Sequence, residues 1–414
     1  MKPSDRSAPL SQVIAREFRA ISTNYAVLLV MVGGIFLYGL LYNYMYAPNH
    51  VTGAPVVVVD ESHSSLSREY VRLLGATPQV DIYTHAVDFH EAKELVRQQK
   101  AVGILYLPHD FADRVFRGEE AVFVMYASTN AFLYYLSLQE ASAYVMLAIA
   151  DKYRTSGLVF LPVNAIVAVA TAPAPINLSG TVLYNYTEGY GSYLIPAVLM
   201  LILFQTLMMV IGMLTGEEYY TGEIRDYLPA GSGWRNALRI VCGKTFVYCM
   251  VYAVFSLFLL GLIPRLFSVP HIGKALDIAL MLIPFFLATC FLGLAASRYY
   301  KDSESPLLMI TYFSVGLLFL AGVSYPLELM PWYWRAVHYI LPASSGTLAF
   351  VQLNSMGATL ADVREQYFAM WIQAGVFFLL AVWVWRDKLQ SSLIKEEIPE
   401  NSIEREMEIT SQMH

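Results

Sequence analysis

The sequence predicts an α-helical membrane protein with six transmembrane helices and an α/β domain inserted between the first two. Three observations predict it. Of 414 residues, 57% are hydrophobic and 14% charged, against roughly 45–50% and about 25% in soluble domains. Six apolar segments contain no Asp, Glu, Lys or Arg. Between the first and second of them lie about 140 residues in which strand-like and helix-like patterns alternate.

Composition also excludes classes. With 27 Lys+Arg against 33 Asp+Glu the net charge is −6, so this is not a basic nucleic-acid binder, and no nucleic-acid partner is expected. Cys242, Cys249 and Cys290 all lie in apolar stretches, where neither a disulfide framework nor a zinc site is readable.

The elements follow in chain order. Residues 1–23 are expected to form a cytoplasmic amphipathic helix at the headgroup level. Leu10, Val13, Ile14, Phe18 and Ile21 share one face, with Arg16 and Arg19 off it. The spans are 24–46, 191–215, 245–264, 278–297, 306–326 and 367–385; a helix of about 20 apolar residues crosses the hydrocarbon with every amide satisfied. The first apolar run exceeds the 7–15 residues of a secretory signal and no small-residue cleavage site follows. Arg16 and Arg19 precede the first span. Arg225, Arg235, Arg239 and Lys244 fill the second-to-third connection; Arg298 and Lys301 follow the fourth span, Arg386 and Lys388 the sixth. Basic residues stay on the cytoplasmic side, so both termini are expected there, with residues 387–414 an acidic cytoplasmic tail.

Residues 47–190 then fall outside as a folded α/β domain. Strands are expected at 55–60, 80–84, 101–106 and 121–127, and helices at 64–75, 88–99, 110–117 and 129–153. Ser64 and the Asp88/Glu91 pair mark helix starts. A rival reading makes 131–150 and 158–172 two further spans. Glu140 in the first, and Pro162, Asn164 and Pro173 in or beside the second, oppose it.

The chain carries no readable catalytic set. Gly243-Lys244-Thr245 imitates the end of a phosphate-binding loop, but Leu238 stands where the motif's first glycine belongs. His63, His85, His90 and His109 are scattered through the outside domain, and Asn177-Leu178-Ser179 and Asn185-Tyr186-Thr187 match glycosylation acceptors only formally. The six spans hold no ionisable residue, whereas ion-coupled carriers keep such groups inside the membrane for function. Energy is therefore expected from a separate ATP-hydrolysing partner.

Segment 216–244, GEEYYTGEIRDYLPAGSGWRNALRIVCGK, runs from acidic through amphipathic to basic. It resembles the cytoplasmic coupling segment of permease subunits of ATP-binding-cassette exporters of the second type, with Glu218, Gly222, Ile224, Leu228 and Pro229 in corresponding positions. Tyr220 replaces the family's second Glu and Glu223 its usual threonine. VVDESHSSLSREYVRLL and VGILYLPHDFADRVFRGEEAVFVMYASTNAF resemble the outside domain of bacterial members with a large extracytoplasmic domain. GVSYPLELMPWYWRAVHYILPASSG is similar to their Pro-rich re-entrant region.

The resemblance implies a permease without enzymatic activity or cofactor of its own, in the bacterial inner membrane, paired with a second permease copy (itself or a close paralogue). ATP and Mg would be bound by cytoplasmic ATPase subunits. It implies ATPase coupling through Glu217, Glu218, Gly222, Ile224, Arg225, Leu228 and Pro229. The pathway would involve Phe36, Leu40, Phe204, Gln205, Met208, Tyr312, Phe313 and Phe319, and a re-entrant segment over 326–350 would carry Pro326, Met330, Pro331 and Pro342. The expected cargo is small hydrophobic or amphipathic compounds, drugs among them, with an adaptor docking on the outside domain. Export of a lipid or glycoconjugate, and a non-transporting assembly or signalling anchor, are the alternatives.

Overall fold

Amides shielded from water must pair within their own segment, and long apolar stretches accordingly fold as helices. The computed structural model describes residues 10–48, 50–117, 119, 121–128, 132–157, 189–230 and 233–397. The chain divides into two units, 1–49 with 182–414, and 50–181. The formal glycosylation acceptors, the rival span at 158–172 and residues 398–414 of the tail lie outside the described residues.

The chain opens with α1 (Leu10–Thr23). Asn24 accepts the N–H of Val27 and so starts α2 (Tyr25–Met45), which contains one π-helical turn at Leu29–Gly33.

The second unit follows. β1 (Ala54–Asp60), α3 (Ser65–Gly75), β2 (Val80–His85), α4 (Phe89–Arg97), β3 (Gly103–Leu107), α5 (Phe111–Arg117), β4 (Val124–Ala127) and α6 (Phe132–Gly157) alternate. The sheet order is β2-β1-β3-β4, with β1 parallel to β2 and β3, and β4 antiparallel to β3. A central parallel strand is buried on both faces and needs an unbroken apolar run. Val56 and Val58 meet α3, α5 and α6, while Val57 and Val59 meet the α4 side. Ser64 and Ser67 form a reciprocal capping box at α3. Asp88 caps α4, and Glu91 reaches back one residue further, to the N–H of Val87.

Leu138, Ala141, Val145 and Ile149 of α6 belong to the sheet's core, and α6 is not among the helices long and apolar enough to cross a membrane.

The first unit resumes with α7 (Tyr190–Thr221), a 3-10 helix (Glu223–Ala230), α8 (Trp234–Leu266) and α9 (Ala275–Ala296). Next come α10 (Ser305–Leu320), α11 (Trp332–Ile340), α12 (Pro342–Met356) and α13 (Arg364–Glu397). Among the described residues five helices are long and apolar enough to span, namely α2, α7, α8, α9 and α13. The expected span at 306–326 is instead the 16-residue α10. At 1.5 Å per residue it covers about 24 Å, short of the roughly 30 Å hydrocarbon core. Its end is dictated locally, since Gly322 takes a left-handed φ of +79° and Pro326 offers no amide.

The expected connection 216–244 is shorter than its charges suggested, because α7 runs on to Thr221 and α8 begins at Trp234. α7 is buried along most of its length and packs against α2, α9, α10 and α12. α2 and α10 keep wide apolar faces exposed, with Leu37 and Tyr312 as examples.

Leu105 of β3 is fully buried in the sheet's core. Leu105→Ala is expected to destabilise the second unit by about 2–5 kcal/mol, seen as a lower unfolding midpoint and earlier proteolysis within 50–157 of the full chain.

Candidate functional site

Acidic residues in the last turn of a helix oppose its dipole and need partners from elsewhere. α7 ends with Glu217 and Glu218, then turns sharply at Gly222, whose φ of +76° is a left-handed helix end that glycine adopts freely. The 3-10 helix that follows lays Ile224 and Tyr227 inward and leaves Glu223, Arg225 and Asp226 exposed.

The partner of Glu218 is Lys244. The ammonium of Lys244, fully buried in α8, lies 2.7 Å from Glu218 Oε1 and 2.5 Å from Glu17 Oε2 of α1. The hydroxyl of Tyr248, one turn further along α8, donates to the other oxygen of Glu17. Tyr227 donates to Glu218 Oε1 at 3.0 Å. One lysine thus joins α1, α7 and α8, and the nearby ring of the fully buried Trp385 brings in α13. Burial pushes the Glu17 carboxyl upward while Lys244 pulls it down, and burial likewise raises the Tyr227 hydroxyl.

A second layer clamps the 3-10 helix from outside. Arg16 of α1 bridges Glu223 and Asp226, each at 2.9 Å, with its guanidinium 4.7 Å from the centre of the Tyr227 ring. Asn236 donates to the carbonyl of Tyr227 at 2.8 Å, and Asn24 donates to Glu217. Between α1 and the end of α7 an open groove of about 750 Å³ runs past Arg16, Arg19, Glu217 and Asp226.

The far side of α7 meets α10 through two glycines. A Cβ at Gly212 would collide with Pro306, and one at Gly216 with the carbonyl of Asp302. Asp302 itself holds the turn into α10, accepting the N–H of Ser305 at 2.7 Å. Twelve residues before Glu217, Gln205 lines a cavity of about 170 Å³ together with Tyr38 and Tyr42 of α2 and Ser314 of α10.

Residues 25–383 match the family described as ABC-2 family transporter protein. The chain belongs to the ABC-2 transporter family. No curated protein and no solved structure matches it. It is thus a multi-pass membrane protein and a transport subunit rather than a catalyst, and membership implies association with an ATPase subunit.

In this ABC-2 protein the sequence-predicted coupling residues differ in burial. Glu218 and Ile224 are inside, Glu217 is half-buried, and Arg225 is exposed; the side chains of Leu228 and Pro229 lie outside the described residues. Of the expected pathway residues, Phe204 and Met208 are buried in the helix core and Gln205 faces the cavity. Phe36 and Leu40 are partly exposed, with the Phe36 ring 4.2 Å from that of Phe258. Tyr312, Phe313 and Phe319 lie on the open face of α10.

In the Pro-rich segment, Pro326 and Pro331 stand immediately before helices and Pro342 opens α12, positions where a missing N–H costs nothing. Met330 is buried between the first two.

Sequence reasoning missed Glu17 and the role of Lys244. Lys244 read as a loop cation because the uncharged run begins at Thr245, yet it lies ten residues inside α8. Glu17 falls between Val13 and Ile21 on the inward face of α1, and that placement was the available signal. The face expected to enter the headgroups is divided, since Val13 and Ile21 are buried in the protein whereas Leu10 and Phe18 are exposed.

Lys244→Met removes the only cation bonded to Glu17 and Glu218 among the described residues. It is expected to cost about 3–5 kcal/mol, read as loss of monodisperse protein or a large fall in unfolding midpoint. Gly216→Leu is expected to cost about 1–3 kcal/mol through overpacking and to separate α7 from α10, measured as a changed cross-linking yield between cysteines at Met213 and Met309.

Proposed function

We propose that this chain is the membrane permease of an ATP-driven exporter that carries small hydrophobic or amphipathic compounds out of the cytoplasm or the inner leaflet. The observation that carries the reading is the buried lysine that ties the 222–230 segment, α1, α7 and α8 into one body. A push delivered to the exposed Glu223, Arg225 and Asp226 has no slack to take up before it reaches α7, because Ile224 and Tyr227 are anchored inside. Through Gly212 and Gly216 the same movement reaches α10. α2, α7 and α10 together line the Gln205 cavity, so a shift of the segment would change the cavity's width.

The basic helix ends support an orientation. Arg298 pairs with Asp387 at 2.8 Å and Arg386 lies 4.4 Å over the Trp234 ring, so the end of α9, the stretch of α13 just past its apolar part and the start of α8 lie together. Retention of Lys and Arg in the cytoplasm makes this the cytoplasmic end and residues 50–181 the extracytoplasmic unit. Two ATPase copies would bind there, beside the groove between α1 and the 222–230 segment, and the permease itself would hydrolyse nothing. The open apolar faces of α2 and α10 suit a second permease copy. Two tyrosines, one amide and one hydroxyl around the cavity suit varied amphiphiles rather than one charged solute.

Reconstituted in vesicles with its ATPase subunit, the chain is expected to support ATP hydrolysis that rises with amphiphilic substrate. Gln205→Leu is expected to shift apparent substrate affinity about tenfold, worth roughly 1.4 kcal/mol. Export driven by a proton gradient in the chain alone would overturn the reading. For orientation, Gln139→Cys is expected to react with a membrane-impermeant maleimide added outside intact cells, and Arg225→Cys only after lysis; the reverse pattern would refute it.

A further inference from the structure

The basic residues that follow α9 and those near the end of α13 are about 90 positions apart in sequence, yet they line one cavity of about 260 Å³. Arg298 and Lys301 come from one side, Lys388, Ser391 and Ser392 from the other, and Tyr219 closes it from α7. Lys388, Ser391 and Ser392 are spaced to share a helix face. At roughly 30 Å³ per water molecule, the space takes a phosphate group with room to spare.

The ammonium of Lys388 distinguishes this cavity from ordinary basic residues at a helix end. Such lysines normally extend their heads into water, but here Nζ is buried and has no hydrogen-bond partner among the described residues. The Trp385 ring lies 5.2 Å away, and through space Glu218 attracts the ammonium while Lys244 repels it. Glu218 does not hydrogen-bond to it: Oε1 is taken by Lys244 and Tyr227, and Oε2, like Lys388 Nζ, makes no hydrogen bond among the described residues. Asp387, the acidic group lining the cavity, is already paired with Arg298. Arg298 and Lys301 on one wall, hydroxyls on the other and, behind that wall, a buried cation with unused donors form a receptor for a group that is anionic and rich in acceptors.

We propose that this cavity binds a phosphate group, carried on an anionic phospholipid headgroup or free in solution. Basic pockets between helix ends at a membrane surface take lipid headgroups by this chemistry. The site is separate from the Gln205 cavity and needs no ATPase, so it stands whether or not the chain exports amphiphiles.

The test uses the full chain purified in zwitterionic detergent, with phosphatidylglycerol, phosphatidylcholine and inorganic phosphate as probes. Native mass spectrometry and the unfolding midpoint are the readouts. Wild type is expected to retain phosphatidylglycerol over phosphatidylcholine and to unfold at higher temperature with it. Lys388→Met is expected to weaken retention about tenfold, by removing one positive charge from behind the wall. Lys301→Gln, an exposed change, should weaken it in the same direction, and it keeps the test decisive if Lys388→Met fails to fold. A midpoint that rises with phosphatidylglycerol alone assigns a membrane-borne phosphate; one that rises equally with inorganic phosphate assigns a soluble one. Equal response to both lipids with no effect of phosphate, or unchanged binding in the folded variants, would overturn the proposal.

Discussion

A lysine ammonium removed from water is tolerable only when anions surround it with good geometry, since the desolvation penalty is several kcal/mol per ion. Lys244 meets that condition with carboxylates from two other elements and the nearby rings of Tyr227 and Trp385. α1, the end of α7 and the turn that follows it are placed by it. α1 must bring Glu17 inward, α7 must extend past its apolar stretch to present Glu218, and the chain must then reverse within a residue, which Gly222 allows. α1 is consequently packed into the helical unit through Val13, Glu17 and Ile21.

Around this rigid base the outer contacts are softer. The bridges from Arg16 reach Glu223 and Asp226, whose side chains are more than half exposed, and ion pairs in that setting contribute about 0–1 kcal/mol. The 222–230 segment therefore has a firmly held inner edge, at Ile224 and Tyr227, and an outer edge whose pairs exchange at little cost. That combination is what the proposed coupling role requires, an inner edge that follows α7 and an outer surface free to change partners. α7 in turn sits directly against the entry to α10, Gly212 on the Pro306 ring and Gly216 on the backbone of Asp302.

The second unit obeys different physics. Its sheet is organised by one strand buried on both faces, and the periodicity of apolar residues in β1 and β3 is enough to position the helices on either side. α6 is long and apolar, yet Leu138, Ala141, Val145 and Ile149 recur at helical spacing and fold back onto that sheet.

Uncharged runs in the sequence by themselves determined that the chain is a multi-pass membrane protein and roughly where most of its spanning helices lie. Alternating patterns determined the order of strands and helices in the inserted segment, because both signals are local. The end of α10 was also local, written in Gly322 and Pro326, but it was hidden by an apolar run that continues past them. Only the tertiary structure decided that Lys244 is a buried hub, that Glu17 and not merely Glu218 is its partner, and that Arg298, Lys301 and Lys388 share a cavity. Charge pairing depends on distance in space between positions as far apart as 227 residues, and no periodicity along the chain carries that distance.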